Sequence, residues 1–351
     1  MKQIILVLGL MSMAYWSNAT IITVNNQVGS SADFDNVTNA MALAVNGDTI
    51  YVQPSATSYG SIAINKRLII MGAGHNPSFS PYNSSFTTVT FQNSSSNAIL
   101  KGLNINTVAS ATSATVNNIV ISGCRISNYG GQCIDLASGT YNNWIFEGCV
   151  LETTTASFFN FDDFGSDLIL RNNLISQNSY SIPIGNLPSG TTVDHNFILS
   201  TGNTNFEGAI YGSNILVTNN IIATNASNNY GIASVCGSCT FNNNILYNLG
   251  SGPFPTTPGN NNQVNVNPQF VNFNLSNIFS YDWDLNLAVN SSGIGAATDG
   301  SDIGLYGGIF NYNENGIDGG TPYIIDFSLE SATAPQGGTI TINLNASGSG
   351  Q

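Results

Sequence analysis

Five charged side chains supply the sequence's material for chemistry: Lys101, Arg125, Glu147, Arg171 and Asp194. Glu147, Arg171 and Asp194 follow one another at steps of 24 and 23 residues. An arginine between two carboxylates suits acid–base work on a sugar, one carboxyl giving a proton and the other taking one. The same spacing also makes a surface ion-pair stack, worth about 0–1 kcal/mol per exposed pair. Asp162, Asp163 and Asp167 fall in the stretch NFDDFGSD, where carboxylates and carbonyls suit Ca²⁺. A solvated turn is the other reading of that loop. Tyr129, Phe158, Tyr180, Phe206 and Tyr230 also recur, each just ahead of a third apolar run in its repeat. Exposed, they form a track of rings for stacking on sugar faces; buried, they form an inward aromatic stack.

These residues need a scaffold that repeats. Six lines supply it: IVISGCRI, WIFEGCVL, LILRNNLI, TVDHNFI, ILVTNNII and CTFNNNIL. Their last residues, Ile126, Leu151, Ile175, Ile198, Ile222 and Leu246, are 25, 24, 23, 24 and 24 apart. A fixed period in the twenties marks a solenoid, each repeat being a coil that cannot bury its apolar face alone. Strand alternation turns Ile121, Phe146, Leu170, Val193, Val217 and Phe241 inward. Each is followed, two residues on, by a residue that tolerates positive φ: Gly123, Gly148, Asn172, His195, Asn219, Asn243. Then comes a column pointing inward again: Cys124, Cys149, Asn173, Asn196, Asn220, Asn244. Buried amides survive only if bonded, so this column predicts a ladder. Strand, left-handed bend, inward asparagine and second strand predict an all-β fold, a right-handed parallel β-helix. The remaining residues leave room for a third short strand, near Ile134, Phe159, Ile184, Ile210 and Ile232.

Only 7% of the 351 residues are charged, and the net charge is −13 with six Lys plus Arg. That deficit of cations excludes a nucleic-acid partner. It also disfavours gripping a polyanionic sugar unless calcium bridges the charges; no other cofactor is expected. Met1-Lys2, an apolar Ile4 to Met13 and Ser17-Asn18-Ala19 predict a signal peptide over residues 1–19. The apolar run is too short to span a bilayer, so an exported, extracellular or surface-bound chain is expected. The cysteine count is five, so at least one is unpaired within the chain. Cys124 and Cys149 are read as a bridge or as stacked thiols. Cys236 and Cys239 are read as a local disulfide or buried thiols, with a redox pair or zinc half-site less favoured.

Phe34, Val37, Met41 and Val45 share one helical face, predicting a short capping helix over 33–45 with Ser31 as N-cap. The stretch from Gly74 to Gln92 reads as an excursion from the coils. After Leu246 the period breaks into NPQF, YDWDL, SSGIG and DIGLYGG. That series, with the opening GDTIYV and the asparagine coils, resembles the secreted bacterial right-handed parallel β-helix repeat proteins of the pectin-lyase-like superfamily. The likeness covers residues 20–308 and implies fold more than activity. Residues 20–310 are thus expected to form the capped β-helix, and 311–351 a linker with a β-hairpin or attachment segment.

The polygalacturonase-like GHG and RxK and the pectate-lyase-like WxDH and RxPxxR are absent; Asp162-Asp163 gives a bare DD. A Lys and an Arg beside calcium, as in some lyases of this fold, are imitated by Lys101 and Arg125. The expected function is therefore a non-catalytic exported protein that binds an extracellular polysaccharide or cell-surface glycan. A polysaccharide lyase or glycoside hydrolase is the alternative, and ice binding lacks an outward Thr-x-Thr ladder.

Overall fold

The computed structural model describes residues 19–78, 82–136, 139–153, 159–161, 165–178, 182–202, 204–275, 279–316, 323–329 and 342–347. Residues 1–18 of the proposed signal peptide, Phe158, Asp162, Asp163 and Tyr180 lie outside them. The chain is a parallel β-helix. A first sheet stacks ten parallel strands, from Ile21–Val24 to Thr240–Asn242. A second, 15-stranded sheet folds around the long strand Asn104–Ser110, which pairs with both of its halves. One half carries the strands after the bend, Arg125–Ser127 to Ile245–Asn248; we call it the second face. The other half carries the third strands, Ile134–Asp135, Phe159–Asn160, Ile184–Leu187 and Ile210–Ser213. The last third strand is Cys236–Gly237 rather than the stretch around Ile232, which lies in a turn.

Register keeps like residues over like. Phe146 pairs with Ile121 and Leu170, and Val217 with Val193 and Phe241. These positions are fully or almost fully buried and, with Ile126, Leu151 and Ile198, fill the cylinder. Every bend residue is left-handed: Gly102, Gly123, Gly148, Asn172, His195, Asn219 and Asn243 have φ between 50° and 60°.

The inward amides form a continuous chain. Asn173, Asn196, Asn220 and Asn244 each donate a backbone N–H to the side-chain oxygen one coil on, at 2.8–3.0 Å. Each Nδ2 also reaches a core-strand carbonyl, such as Asn173 to Phe146 O at 2.8 Å. Cys124 and Cys149 hold the same places as thiols; no bridge joins them. Cys149 Sγ donates to Ile121 O at 3.3 Å, the carbonyl an amide would have used one coil earlier. Cys236 and Cys239 form a disulfide.

The N-terminal helix is shorter than its periodicity suggested, Val37–Leu43, and its cap is Asn36 rather than Ser31. Asn36 accepts from the N–H of Asn39, while Asp33 is spent on the N–H and hydroxyl of Thr23. Val37, Ala40 and Met41 close that end of the core. The stretch from Gly74 to Gln92 is only partly an excursion: Ser85–Phe91 is a coil strand paired on both sides.

Residues 266–275 and 279–316 form a strap over the outside of the second face. The outward column there is Val150, Leu174, Phe197, Ile221 and Ile245, apolar where most outward columns are polar. With both sides apolar, those strands need a cover. Phe279, Trp283, Leu285, Ile303, Leu305 and Tyr312 supply it, making a second core outside the cylinder. The strap runs from the last coil out to Tyr281, doubles back so that Asp284–Leu287 pairs antiparallel with Phe270–Asn272, then runs out again along the bends to Gly316. Tyr323–Leu329 and Ile342–Ser347 pair antiparallel as a hairpin.

Candidate functional site

The charged column before the bends does not assemble as one centre. Arg171 gives its guanidinium to Glu147, with Nε and Nη2 at 3.0 and 2.5 Å from Oε2. Asp194 turns instead to Thr218 and Asn219, both at 2.8 Å, and to His195 Nδ1 at 2.9 Å. Arg171 therefore has one carboxylate partner, because the neighbouring coil offers Asp194 three donors of its own. These donors hold the Asp194 carboxyl below the usual carboxylate range, against the burial that would raise it. Lys101 stands on the first sheet beside Ser122, whereas Arg125 stands on the second face beside Asn104 and Val150. The bend thus sets the two cations on different sheets.

Arg125 joins a cluster of which the sequence singled out only Tyr129, and that as an aromatic. Its Nη2 lies 2.8 Å from Glu152 Oε2 and 3.0 Å from the Tyr129 hydroxyl. Tyr129 donates to the same carboxylate oxygen at 2.9 Å. The other oxygen, Glu152 Oε1, accepts the N–H of Phe279 at 2.8 Å, fastening the strap. The guanidinium faces the rings of Phe279 and Tyr281, about 6 Å from each centroid. Burial works against its charge, but the hydrogen bond and attraction of Glu152 prevail and hold Arg125 above its ordinary range. Glu152 and Arg125 interrupt two outward columns that are otherwise mainly apolar or small, so each needs the other.

Tyr281 continues the cluster to His75. Its hydroxyl donates to His75 O at 2.7 Å and lies 2.8 Å from His75 Nδ1. Since that hydroxyl proton is already given away, Nδ1–H is the donor to the tyrosine oxygen. His75 Nε2 then carries a lone pair, buried and without a protein partner, as is the N–H of Arg125 Nε. Burial first, and the nearby Arg125 charge second, push His75 down to about 3.

A second cluster lies farther along the bends. His195 contacts Asp194 through Nδ1 and Ser301 Oγ through Nε2, the latter at 3.2 Å. The order acid–imidazole–hydroxyl is that of a nucleophilic triad. Yet Ser301 gives its proton to Asp299 at 2.6 Å and receives the N–H of Gly308 at 2.7 Å. With its proton aimed away from the imidazole and a lone pair already filled, this serine fastens the strap.

The aromatic series divides. Phe206 is fully buried and packs edge-on against Phe254, so it offers no face to a ligand. Tyr129 and Tyr230 are exposed, at 49% and 59%. Tyr211, on a third strand, is exposed at 50% and was not singled out by the repeat because it falls one residue past the inward Ile210. Asp167 sits in a left-handed turn, bonded by Ser166 Oγ at 2.7 Å. Among the described residues, no three His, Cys, Asp or Glu side chains come together as a metal site. No helix among them is long and apolar enough to cross a membrane.

No family model matches this chain, and no curated protein matches it. Among solved structures it is similar to pectate lyase Pel9A, at 16% identity over 84% of this chain and 96% of that one, with a TM-score of 0.47. It is also similar to the deglycosylated pectin methylesterase of Aspergillus niger, at 14% identity over 69% of this chain and 85% of that one, with a TM-score of 0.39.

Proposed function

We propose that this chain is an exported glycan-binding β-helix that acts without bond cleavage at its charged column. The observation that carries the reading is a division between two sides of the molecule. On the bend side, Arg125, Glu147, Glu152, Arg171 and Asp194 are committed to one another or to neighbouring donors, and the strap lies over part of the column. Elsewhere, Tyr211 on a third strand and Tyr230 stand exposed on separate coils, and Tyr129 exposes half its surface while its hydroxyl is held by Arg125 and Glu152. The coils of Tyr129 and Tyr230 are four apart, which places the rings about 20 Å from one another along the axis at about 4.8 Å per coil. Exposed rings at such a span suit several sugar units of one chain, each stacking on an aromatic face. The net charge of −13 favours a neutral glycan over a polyuronate.

Affinity electrophoresis and titration calorimetry against neutral and acidic polysaccharides, with and without Ca²⁺, test this. A neutral glycan is expected to retard the protein, and Tyr211→Ala and Tyr230→Ala to weaken that retardation while the melting temperature holds. Release of reducing or unsaturated ends would favour the lyase or hydrolase reading. Absence of binding across the panel would remove the proposal.

A further inference from the structure

The chain has two histidines, and the strap lies against both of them. Their surroundings are opposite in charge. His195 lies between carboxylates, Asp194 at 2.9 Å and Asp299 at 3.9 Å. His75 lies beside the Arg125 guanidinium, and no carboxylate among the described residues bonds its ring. A proton on His75 meets a like charge in a fully buried site.

His75 is also where two passes of the strap converge. Tyr281, at the tip of the first pass, bonds both its carbonyl and its ring. Asn315, near the end of the last pass, accepts the His75 N–H at its carbonyl, 2.9 Å away, and its side chain accepts from Asn76 at 2.8 Å. Gly316 packs against the imidazole so closely that a Cβ there would lie 2.4 Å from Cδ2. His75 thus ties both passes to the first coils.

We propose that the strap is an acid-opened cover: protonation of His75 releases the Tyr281 tip and the Asn315–Gly316 end together, while His195 and the later bends keep the middle attached. Opening exposes Arg125, Glu152 and the apolar column beginning at Val150 and Leu174. The inference goes beyond the glycan-binding reading and is independent of it.

The other ionisable groups around the ring do not supply the same switch. Burial holds Tyr129, Tyr281 and Tyr312 above the ordinary phenol range, so they keep their protons throughout acid conditions. Arg125 keeps its charge. Glu152 is committed to Arg125, Tyr129 and the N–H of Phe279. The sign follows from linkage. The closed form holds His75 at about 3, whereas a free imidazole titrates near 6.5. The closed form is therefore fully favoured above the free value and loses ground as pH falls below it, by up to tenfold per pH unit.

Hydrogen exchange read by mass spectrometry between pH 7 and 4, corrected for intrinsic rates, tests the proposal on the whole chain. Peptides over 279–285 and 309–316 are expected to lose protection by up to tenfold per unit, while 119–127 and 296–305 keep theirs. H75Q, which retains a donor for Tyr281, is expected to remove this pH dependence. Equal protection of the strap at both pH values, loss of protection by all peptides together, or a persisting dependence in H75Q would each overturn it. Should H75Q fail to fold, carbon NMR of the two labelled histidines in the unaltered protein decides. His75 is expected to titrate only in step with strap exchange, and titration under a protected strap would refute the mechanism.

Discussion

Asn262 receives both N–H groups of Asn244, backbone at 3.0 Å and side chain at 3.1 Å, across a last coil of only 18 residues. The ladder therefore ends on a coil shorter than the rest, and Asn262 closes it by donating to Phe241 O at 2.9 Å. The steps of 23 to 25 residues hid this member: Asn260 to Asn262 reads as a spacer when the period is held fixed.

Within the ladder, position should matter more than residue type. Asn196→Ala removes the oxygen that accepts two N–H groups of Asn173 and takes the amide donor from the carbonyls of Leu170 and Asp194. A loss of about 2–4 kcal/mol is expected from several buried groups left unpaired. Asn262→Ala, partly exposed, should cost about half as much. Urea unfolding of both variants checks the ordering.

The three free thiols should be inert in the folded protein. Burial pushes Cys124 and Cys133 up to about 12 and holds Cys149 well above the ordinary thiol range, so the reactive thiolate is absent at neutral pH. Ellman's reagent at pH 8 is expected to find no thiol in the native protein and three after denaturation without reductant. Reduction should add the pair Cys236 and Cys239.

The bends should respond to substitution according to what the strap places on them. Gly148 has φ +60°, and a Cβ there would lie 2.4 Å from the Phe310 ring. Gly148→Ala should cost about 1–2 kcal/mol for the left-handed backbone alone, and more as Phe310 is displaced. Asn172→Gly keeps the bend but loses two bonds, to Leu305 O at 2.9 Å and Gly307 O at 2.7 Å. It should loosen peptides over 303–310 in hydrogen exchange while leaving the coil itself protected.

Arg125 and Glu152 should be worth little as a pair and much as survivors. Glu152→Leu strands the guanidinium under the strap, and Arg125→Leu strands the carboxylate; each is expected to cost about 3 kcal/mol. The double variant restores apolar columns and should recover most of that loss. Thermal unfolding of the cycle measures it, and additive losses would contradict the paired reading.

The coils were legible because their constraints are local and periodic. Inward Phe146 and Val217, left-handed Asn172 and Asn219 and the stacked amides all follow from alternation and spacing. The strap was not legible because it repeats nothing. A signal was nevertheless present: Val150, Leu174, Phe197, Ile221 and Ile245 sit outward yet are all apolar. That column predicts a cover without saying which residues form it. The same gap separated Arg125 from Glu152: they are 27 residues apart, on neighbouring coils but in different outward columns, so a fixed-column reading does not pair them. Tyr281 and His75, 206 residues apart, follow no period at all.

The last pass of the strap reaches from Ala296 at Asn243 to Gly316 at Gly123 and Gly102. A repeating array can usually gain or shed a unit at modest cost, since each unit meets only its neighbours. Here the pass acts as a ruler laid along the stack. Duplicating one coil would shift Asn172 away from Leu305 and Gly148 away from Phe310, so the number of turns is set by a segment that belongs to none of them.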